Sequence, residues 1–311
     1  MRTLFLTLAL LVSFLEAYEP PITAVAFDPK GDQVVAASQK GLQVYSWPEL
    51  KPKQEIDVPI VNLHAVAFSP NGTRLVVAGG YPSEHGSLSV LSWPELEMIA
   101  SLRGHDDSIR AVTWVDDSSF VSASMDRNIQ VWDAVDGVVT RTLEGHSRGI
   151  NAACILQDKK TLMTSGIDQS VRVWDVESGK LLRSLNQHTA SVNALAIRPS
   201  TEGLPILASA AADRTIRFWQ PTIGRMMRYI RLDAKPLDVT WLSDGVRIAA
   251  SCDDGRIRIV DWQQLKVVET IPAIEGWAYA IAAHPFDESC VVSGESSTIQ
   301  RLPLTMATAE P

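Results

Sequence analysis

Ser122–Asp133 reads SASMDRNIQVWD, Thr164–Asp175 reads TSGIDQSVRVWD, and Ser209–Gln220 reads SAAADRTIRFWQ. Each begins with a short apolar stretch, breaks at an aspartate among small or polar residues, and resumes as an alternating stretch that ends near tryptophan. Alternation with period two marks a half-buried strand, and the Asp-centred break marks a tight turn between two such strands. Each segment is therefore a hairpin, and the three hairpins are in register with one another.

Working outward, a further alternating strand precedes each hairpin: IRAVTWV, INAACIL and VNALAIRP. The same strand recurs as ITAVAFDP and LHAVAFSP before them and as LDVTWLS and AYAIAAHP after them. Equivalent positions are Val25, Val66, Val112, Ala153, Leu195, Val239 and Ile281, spaced by 41, 46, 41, 42, 44 and 42 residues. A second apolar strand follows each start (LVVAGG, FVSAS, TLMTSG, ILASAA, RIAAS), then a turn, a third strand and a polar fourth strand such as VVTRTLEG. Four short strands in a period of about 40–45 residues is the arithmetic of a propeller blade. Asn71-Gly72, Asp244-Gly245 and Asp254-Gly255 supply turns between strands, and no helical period is visible after residue 17. The expected fold is all-β, a seven-bladed β-propeller of four-stranded antiparallel blades.

These residues also resemble a known family, the WD-repeat (G-protein-beta-like) propellers. Gly104-His105, Gly145-His146 and Gln187-His188 precede the first strands of blades three, four and five. The resemblance implies a hydrogen-bonded tetrad in each of these blades: His105, Ser122, Asp126 and Trp132; His146, Thr164, Asp168 and Trp174; His188, Ser209, Asp213 and Trp219. Physically, a buried Asp must be bonded, a neutral His bridges it to a hydroxyl, and an indole N–H completes the chain. A His–Asp–Ser grouping suggests a hydrolase triad, but a triad needs one nucleophile at a pocket rather than the same constellation three times. The tetrads read as structural.

Other blades depart from the pattern. Blades one and two share SWPEL (Ser46–Leu50, Ser92–Leu96) and lack the histidine; blade six has Leu232 and Val260 at the His and Trp positions; blade seven has Leu302 at the Trp position. These blades are expected to rest on apolar packing alone.

The 311 residues are 46% apolar and 21% charged, enough for a large core. A net charge of -8 gives no basic footprint for nucleic acid and no attraction to an anionic membrane, so neither partner is expected. Cys154, Cys252 and Cys290 show no metal or redox spacing and read as small buried hydrophobes, with a Cys252–Cys290 disulfide left open. Residues 1–17 carry an early positive charge and an apolar run from Leu4 to Leu15, which fits a secretory signal ahead of a propeller spanning 18–311. A rival reading makes Leu11–Tyr18 the strand that closes the last blade. Cleavage of a signal implies an extracytoplasmic protein; otherwise the chain is cytoplasmic.

No phosphate loop, HExxH, GxSxG or paired-carboxylate signature occurs, so no catalytic residue, metal or cofactor is expected. His64 and His85 read as solvated. Arg225, Arg228 and Arg231 read as charge guarding an outer edge. Attention falls on the mouth of the ring, lined by the residue opening each first strand: Thr23, His64, Arg110, Asn151, Asn193, Leu237 and Tyr279. Ser108, Ser191, Lys235 and Trp277 lie two positions earlier. The resemblance implies that this face takes peptides and proteins, and Arg, Trp and Tyr are the residue types that dominate such contacts. The candidate partner-binding residues are His64, Arg110, Asn151, Asn193, Trp277 and Tyr279. The expected function is a non-enzymatic scaffold, monomeric by itself, binding a protein or peptide partner. The alternative is a lactonase- or lyase-like propeller enzyme, or a small-ligand binder, acting in the central channel.

Overall fold

Inner strands recur around the ring at Ile22–Phe27, Leu63–Phe68, Ile109–Trp114, Ile150–Ile155, Val192–Ile197, Pro236–Trp241 and Ala278–Ala283. A computed structural model describes residues 19–199 and 203–304, and among these every regular element is a strand. Each inner strand opens an antiparallel sheet whose strands follow one another in chain order. Six sheets have four strands and the last has three among the described residues, giving seven blades. The expectations for residues 1–17 and for a closing strand at Leu11–Tyr18 fall outside the described residues.

The 46-residue step from blade two to blade three is absorbed by a longer hairpin in blade two rather than a loop. Arg74–Tyr81 pairs with His85–Ser92 along eight residues each, so His85 is a strand residue whose ring lies 5.5 Å from Tyr81.

Because each strand alternates its side chains, both faces of a blade are apolar and must be covered by the neighbouring blades. The buried clusters accordingly lie between blades. Val35, Val44, Leu63 and Leu75 join blades one and two; Phe218, Ile216, Trp241 and Ile248 join blades five and six. The seam between blades seven and one differs. There Phe27, Trp47 and His284 form an aromatic group with centroids 4.8–5.7 Å apart, and Arg301 lies 5.3 Å from the Trp47 ring. His284 Nε2 donates to the Gly31 carbonyl at 3.1 Å, while its Nδ1 accepts from the amides of Phe286 and Asp287. Gly31 has φ +76° and a Cβ there would lie 2.6 Å from His284, so only glycine fits this seam.

The outer strands are less polar than their sequences suggest. Met98, Ile99, Val138, Leu181, Leu182 and Val268 remain exposed on the outer strands or the turns into them. Arg228 does not merely guard an edge: it donates to the Gln263 carbonyl at 2.8 Å and lies over the Trp262 ring, fastening blade five to blade six. The three cysteines are free thiols, and burial raises the pKa of each.

Candidate functional site

Three blades contain the same polar chain. In blade four the Trp174 indole N–H donates to Thr164 Oγ1 at 2.8 Å. That hydroxyl lies 2.8 Å from His146 Nε2, and His146 Nδ1 lies 2.9 Å from Asp168 Oδ2. Blade three joins Trp132, Ser122, His105 and Asp126 at 2.8, 2.7 and 2.8 Å. Blade five joins Trp219, Ser209, His188 and Asp213 at 2.8, 2.7 and 2.8 Å. The indole can only donate, so each hydroxyl accepts from it and gives its own proton to Nε2. In that arrangement Nδ1–H donates to the carboxylate. Burial opposes ionisation of Asp168, but hydrogen bonds from His146, Ser170 and the Ser147 amide outweigh it and hold the carboxyl well below the usual range. Asp126 and Asp213 are lowered for the same reasons. Every nucleophile-like hydroxyl here is committed to a tryptophan and a histidine inside a blade. Gly104 fits the pattern: a Cβ there would lie 2.7 Å from the Trp132 ring.

Blade six is not held by apolar packing alone, as its sequence suggests. Arg258, 1% exposed, forms two hydrogen bonds to Asp254 at 2.8 and 2.7 Å and a third to Asp233 at 2.6 Å. With no His to claim it, the turn aspartate is taken by an arginine from the third strand. Sequence carried the signal, since Arg172 and Arg217 occupy the same place two residues before Trp174 and Trp219, within 3.6 and 4.0 Å of their own turn aspartates. Blades one and seven likewise add the Trp47–His284 contact to their packing. In blade two Trp93 packs edge-on against Phe68.

The other concentration of polar side chains is the central channel. Every inner strand pairs with its neighbour out of step at its first residues: Ile22/Ala24, Leu63/Ala65, Ile150/Ala152, Val192/Ala194, Pro236/Asp238 and Ala278/Ala280. In blade three the break falls between the Ala111 and Ile109 pairings. The residue caught in each bulge is Thr23, His64, Arg110, Asn151, Asn193, Leu237 or Tyr279. A bulge re-aims the side chain it carries, and here all seven line one cavity of about 520 Å³.

Inside the cavity several of these side chains clasp the next blade. Asn151 Nδ2 donates to the Val192 carbonyl at 3.0 Å and to Ser191 Oγ at 2.9 Å; Asn193 Nδ2 donates to the Pro236 carbonyl at 2.9 Å. Thr23 Oγ1 donates to the Leu63 carbonyl at 2.5 Å. Arg110 instead turns toward blade two, where its guanidinium donates to His64 Nδ1 at 3.1 Å. His64 is therefore not a solvated histidine. Burial, and then the positive charge of Arg110, bring its pKa down to about 4 and keep it neutral.

The four residues placed near the mouth from sequence are not equivalent. Ser191 lines the cavity. Ser108 is buried, and its carbonyl accepts from Ser124 Oγ. Lys235 is exposed, with its ammonium 3.8 Å from Asp253. Trp277 stands outside the cavity, 47% exposed, with its ring 5.8 Å from Tyr279.

Asp238 was missed. It follows the bulge residue of blade six and lines the cavity. Its Oδ1 accepts from the Val239 amide at 2.8 Å and its Oδ2 from the Ile281 amide of blade seven at 3.0 Å. Burial outweighs these bonds and pushes its carboxyl up to about 6. The signal was a column in the repeat: the same position is Ala24, Ala65, Ala111, Ala152, Ala194 and Ala280 in the other blades. Met125 and Ile167, from the turns of blades three and four, also reach the cavity.

Residues 96–133, 137–175, 179–220 and 233–261 match the family described as WD domain, G-beta repeat. The chain is a WD-repeat propeller. Each matched segment opens near the outer strand of one blade or in the link after it and ends with the third strand of the next, which places the repeats in blades three to six. Blade six is matched although Arg258 stands in for its histidine. Blades one, two and seven, where the tetrad residues are missing, carry the fold outside the matched segments.

Among curated proteins this WD-repeat chain is similar to nuclear distribution protein nudF 1 of Talaromyces marneffei, 25% identical over 145 residues. It is similar also to nuclear distribution protein PAC1 of Arthroderma benhamiae, 29% identical over 147 residues. These alignments take in 45% and 43% of this chain, and 31% of each relative's length. The likeness therefore concerns the repeats and not the whole of those proteins.

Proposed function

We propose that this WD-repeat propeller is a non-enzymatic scaffold whose channel mouth binds a protein or peptide partner. One observation carries the reading: seven bulges, one per blade, turn seven side chains into a single cavity. Ring closure by itself brings the seven inner strands to the channel, and Thr23, Asn151 and Asn193 clasp the next blade there. What favours recognition is that the same cavity gathers Arg110 and Tyr279, residue types that dominate contact centres. The tetrad histidines and hydroxyls are meanwhile consumed inside their blades, which removes the His–Asp–Ser groupings from chemistry. The family resemblance, with its use of this face for peptides and proteins, points the same way. A second reading, an enzyme or small-ligand binder working in the channel, is favoured by Asp238, whose pKa of about 6 suits proton transfer.

The test is a partner captured on the intact chain and then titrated against variants. Arg110→Ala and Tyr279→Ala are expected to cost about 1–3 kcal/mol of affinity, because Arg and aromatic side chains carry most of the energy at the centre of a contact. Arg225→Ala, on the exposed outer strand of blade five, is the control and leaves affinity unchanged. A partner weakened by Arg225→Ala and indifferent to the two mouth variants places the contact on the blade edge and overturns the proposal.

A further inference from the structure

The cavity holds two charged side chains, and neither has an ion-pair partner among the described residues. Arg110 is the one Arg or Lys lining it; it donates to the neutral ring of His64, and the Asp107 carboxylate acts on it only from beyond ion-pair distance. Asp238 is the one Asp or Glu lining it; its contacts are two backbone amides. Blades three and six stand across the ring from each other, with two blades between them on one side and three on the other. The cavity thus has a cationic wall and an acidic wall, with the amides of Asn151 and Asn193 between them on one side.

The fold does not require this dipole. Six blades have Ala where blade six has Asp238, so a blade closes without a carboxylate there. The bulge position of Arg110 is filled elsewhere by Thr, His, Asn, Leu and Tyr, so a blade closes without a guanidinium too. The Arg110 guanidinium is exposed and open to a ligand, while the half-buried Asp238 carboxylate bears a burial cost that a ligand of opposite charge relieves. A cavity of about 520 Å³ accommodates a pair of amino-acid side chains rather than a whole folded element.

We infer that the channel is a receptor for a dipolar peptide segment, its acidic side chain seated on the Arg110 guanidinium and its basic side chain on the Asp238 carboxylate. The His64 ring holds one guanidinium N–H and so sets the direction in which the remaining fork faces the ligand carboxylate. Oδ1 and Oδ2 of Asp238 each keep a free lone pair for the incoming cation. The inference rests on the mouth being the partner site and names the chemistry that site takes.

The experiment uses three blocked peptides, acetyl-Glu-Gly-Lys-amide, acetyl-Gln-Gly-Lys-amide and acetyl-Glu-Gly-Gln-amide, titrated into the full chain and followed by NMR at Arg110 Nε–H and at the Ile281 amide. The dipolar peptide is expected to bind at least about tenfold more tightly than either singly charged one, a difference of about 1.4 kcal/mol, with millimolar affinities within reach. Arg110→Gln removes the preference for Glu over Gln, and Asp238→Asn removes the preference for Lys over Gln. Arg110→Lys, which keeps the charge, retains a reduced preference for Glu and separates recognition from misfolding. Equal binding of the three peptides, or no shift at either reporter, overturns the inference. With a captured partner, sensitivity to Arg110→Gln but not to Asp238→Asn refutes the dipolar ligand and leaves the mouth reading standing. Indifference to both variants and to Tyr279→Ala refutes the mouth reading as well.

Discussion

Thr164 Oγ1 accepts from an indole and donates to an imidazole, so one hydroxyl sets the direction of a four-residue chain in blade four. Thr164→Val keeps the shape and leaves both the Trp174 N–H and His146 Nε2 buried without a partner, at a cost of about 1–3 kcal/mol. Thermal denaturation checks this; an unchanged Tm contradicts it. Two residues in the channel act on stability with opposite sign. His64 falls from an ordinary 6.5 to about 4, so the unfolded chain binds a proton that the fold refuses, and its contribution is lost as pH drops through that window. Asp238 rises from 3.8 to about 6, so the fold holds a proton longer than the unfolded chain, and its contribution is lost as pH rises through that window. In the whole protein the two offset each other; single variants separate them. The Tm advantage of wild type over His64→Gln is expected to shrink from about pH 7 to about pH 4.5, and that over Asp238→Asn to shrink in the other direction. Either trend reversed contradicts the assignment.

At the scale of the element, the blades were legible because strand alternation and the period of the repeat survive in all seven. Blades three to five were legible to the residue, because the His before the first strand, the turn Asp and the Trp are local marks. The bulge was not, since one unpaired residue leaves alternation almost unaltered; yet the bulge is what makes Thr23, His64 and Arg110 equivalent. Blade six was misread because absence of the histidine was taken as absence of a polar network, whereas Arg258 reaches the same aspartate from the opposite strand. Trp277, read from sequence as lying beside the first-strand residues, does pack its ring against Tyr279, although it is not among the residues that line the cavity. Asp254 is partly exposed, which screens its pairing with Arg258, so Arg258→Met is expected to cost about 1–2 kcal/mol rather than the larger penalty of a fully buried pair. Arg258→Lys loses the two-pronged contact and falls between wild type and Met. Denaturant titration of the three proteins checks the order; equal midpoints contradict it.

Across the whole molecule, the ring depends on a seam between parts of the chain far apart in sequence. Blade seven meets blade one through His284 and Gly31, through Ser293 Oγ to the Ile22 carbonyl, and through Ser297 Oγ to the Pro20 carbonyl at 2.8 Å. Nothing local in the sequence marks this contact, which explains why His284 drew no attention there. His284→Ala leaves the Gly31 carbonyl and two amides without their partner. Hydrogen exchange is expected to speed up first in Ile22–Phe27 and Ala278–Ala283 while the tetrad blades stay protected; uniform acceleration contradicts a local seam. The same method tests the central claim, that the channel mouth is the working face. Exchange measured with and without the captured partner should show new protection at the bulged starts of the inner strands, around His64, Arg110 and Tyr279. Protection confined to outer strands such as Arg225–Arg231, with the inner strands unchanged, would contradict it.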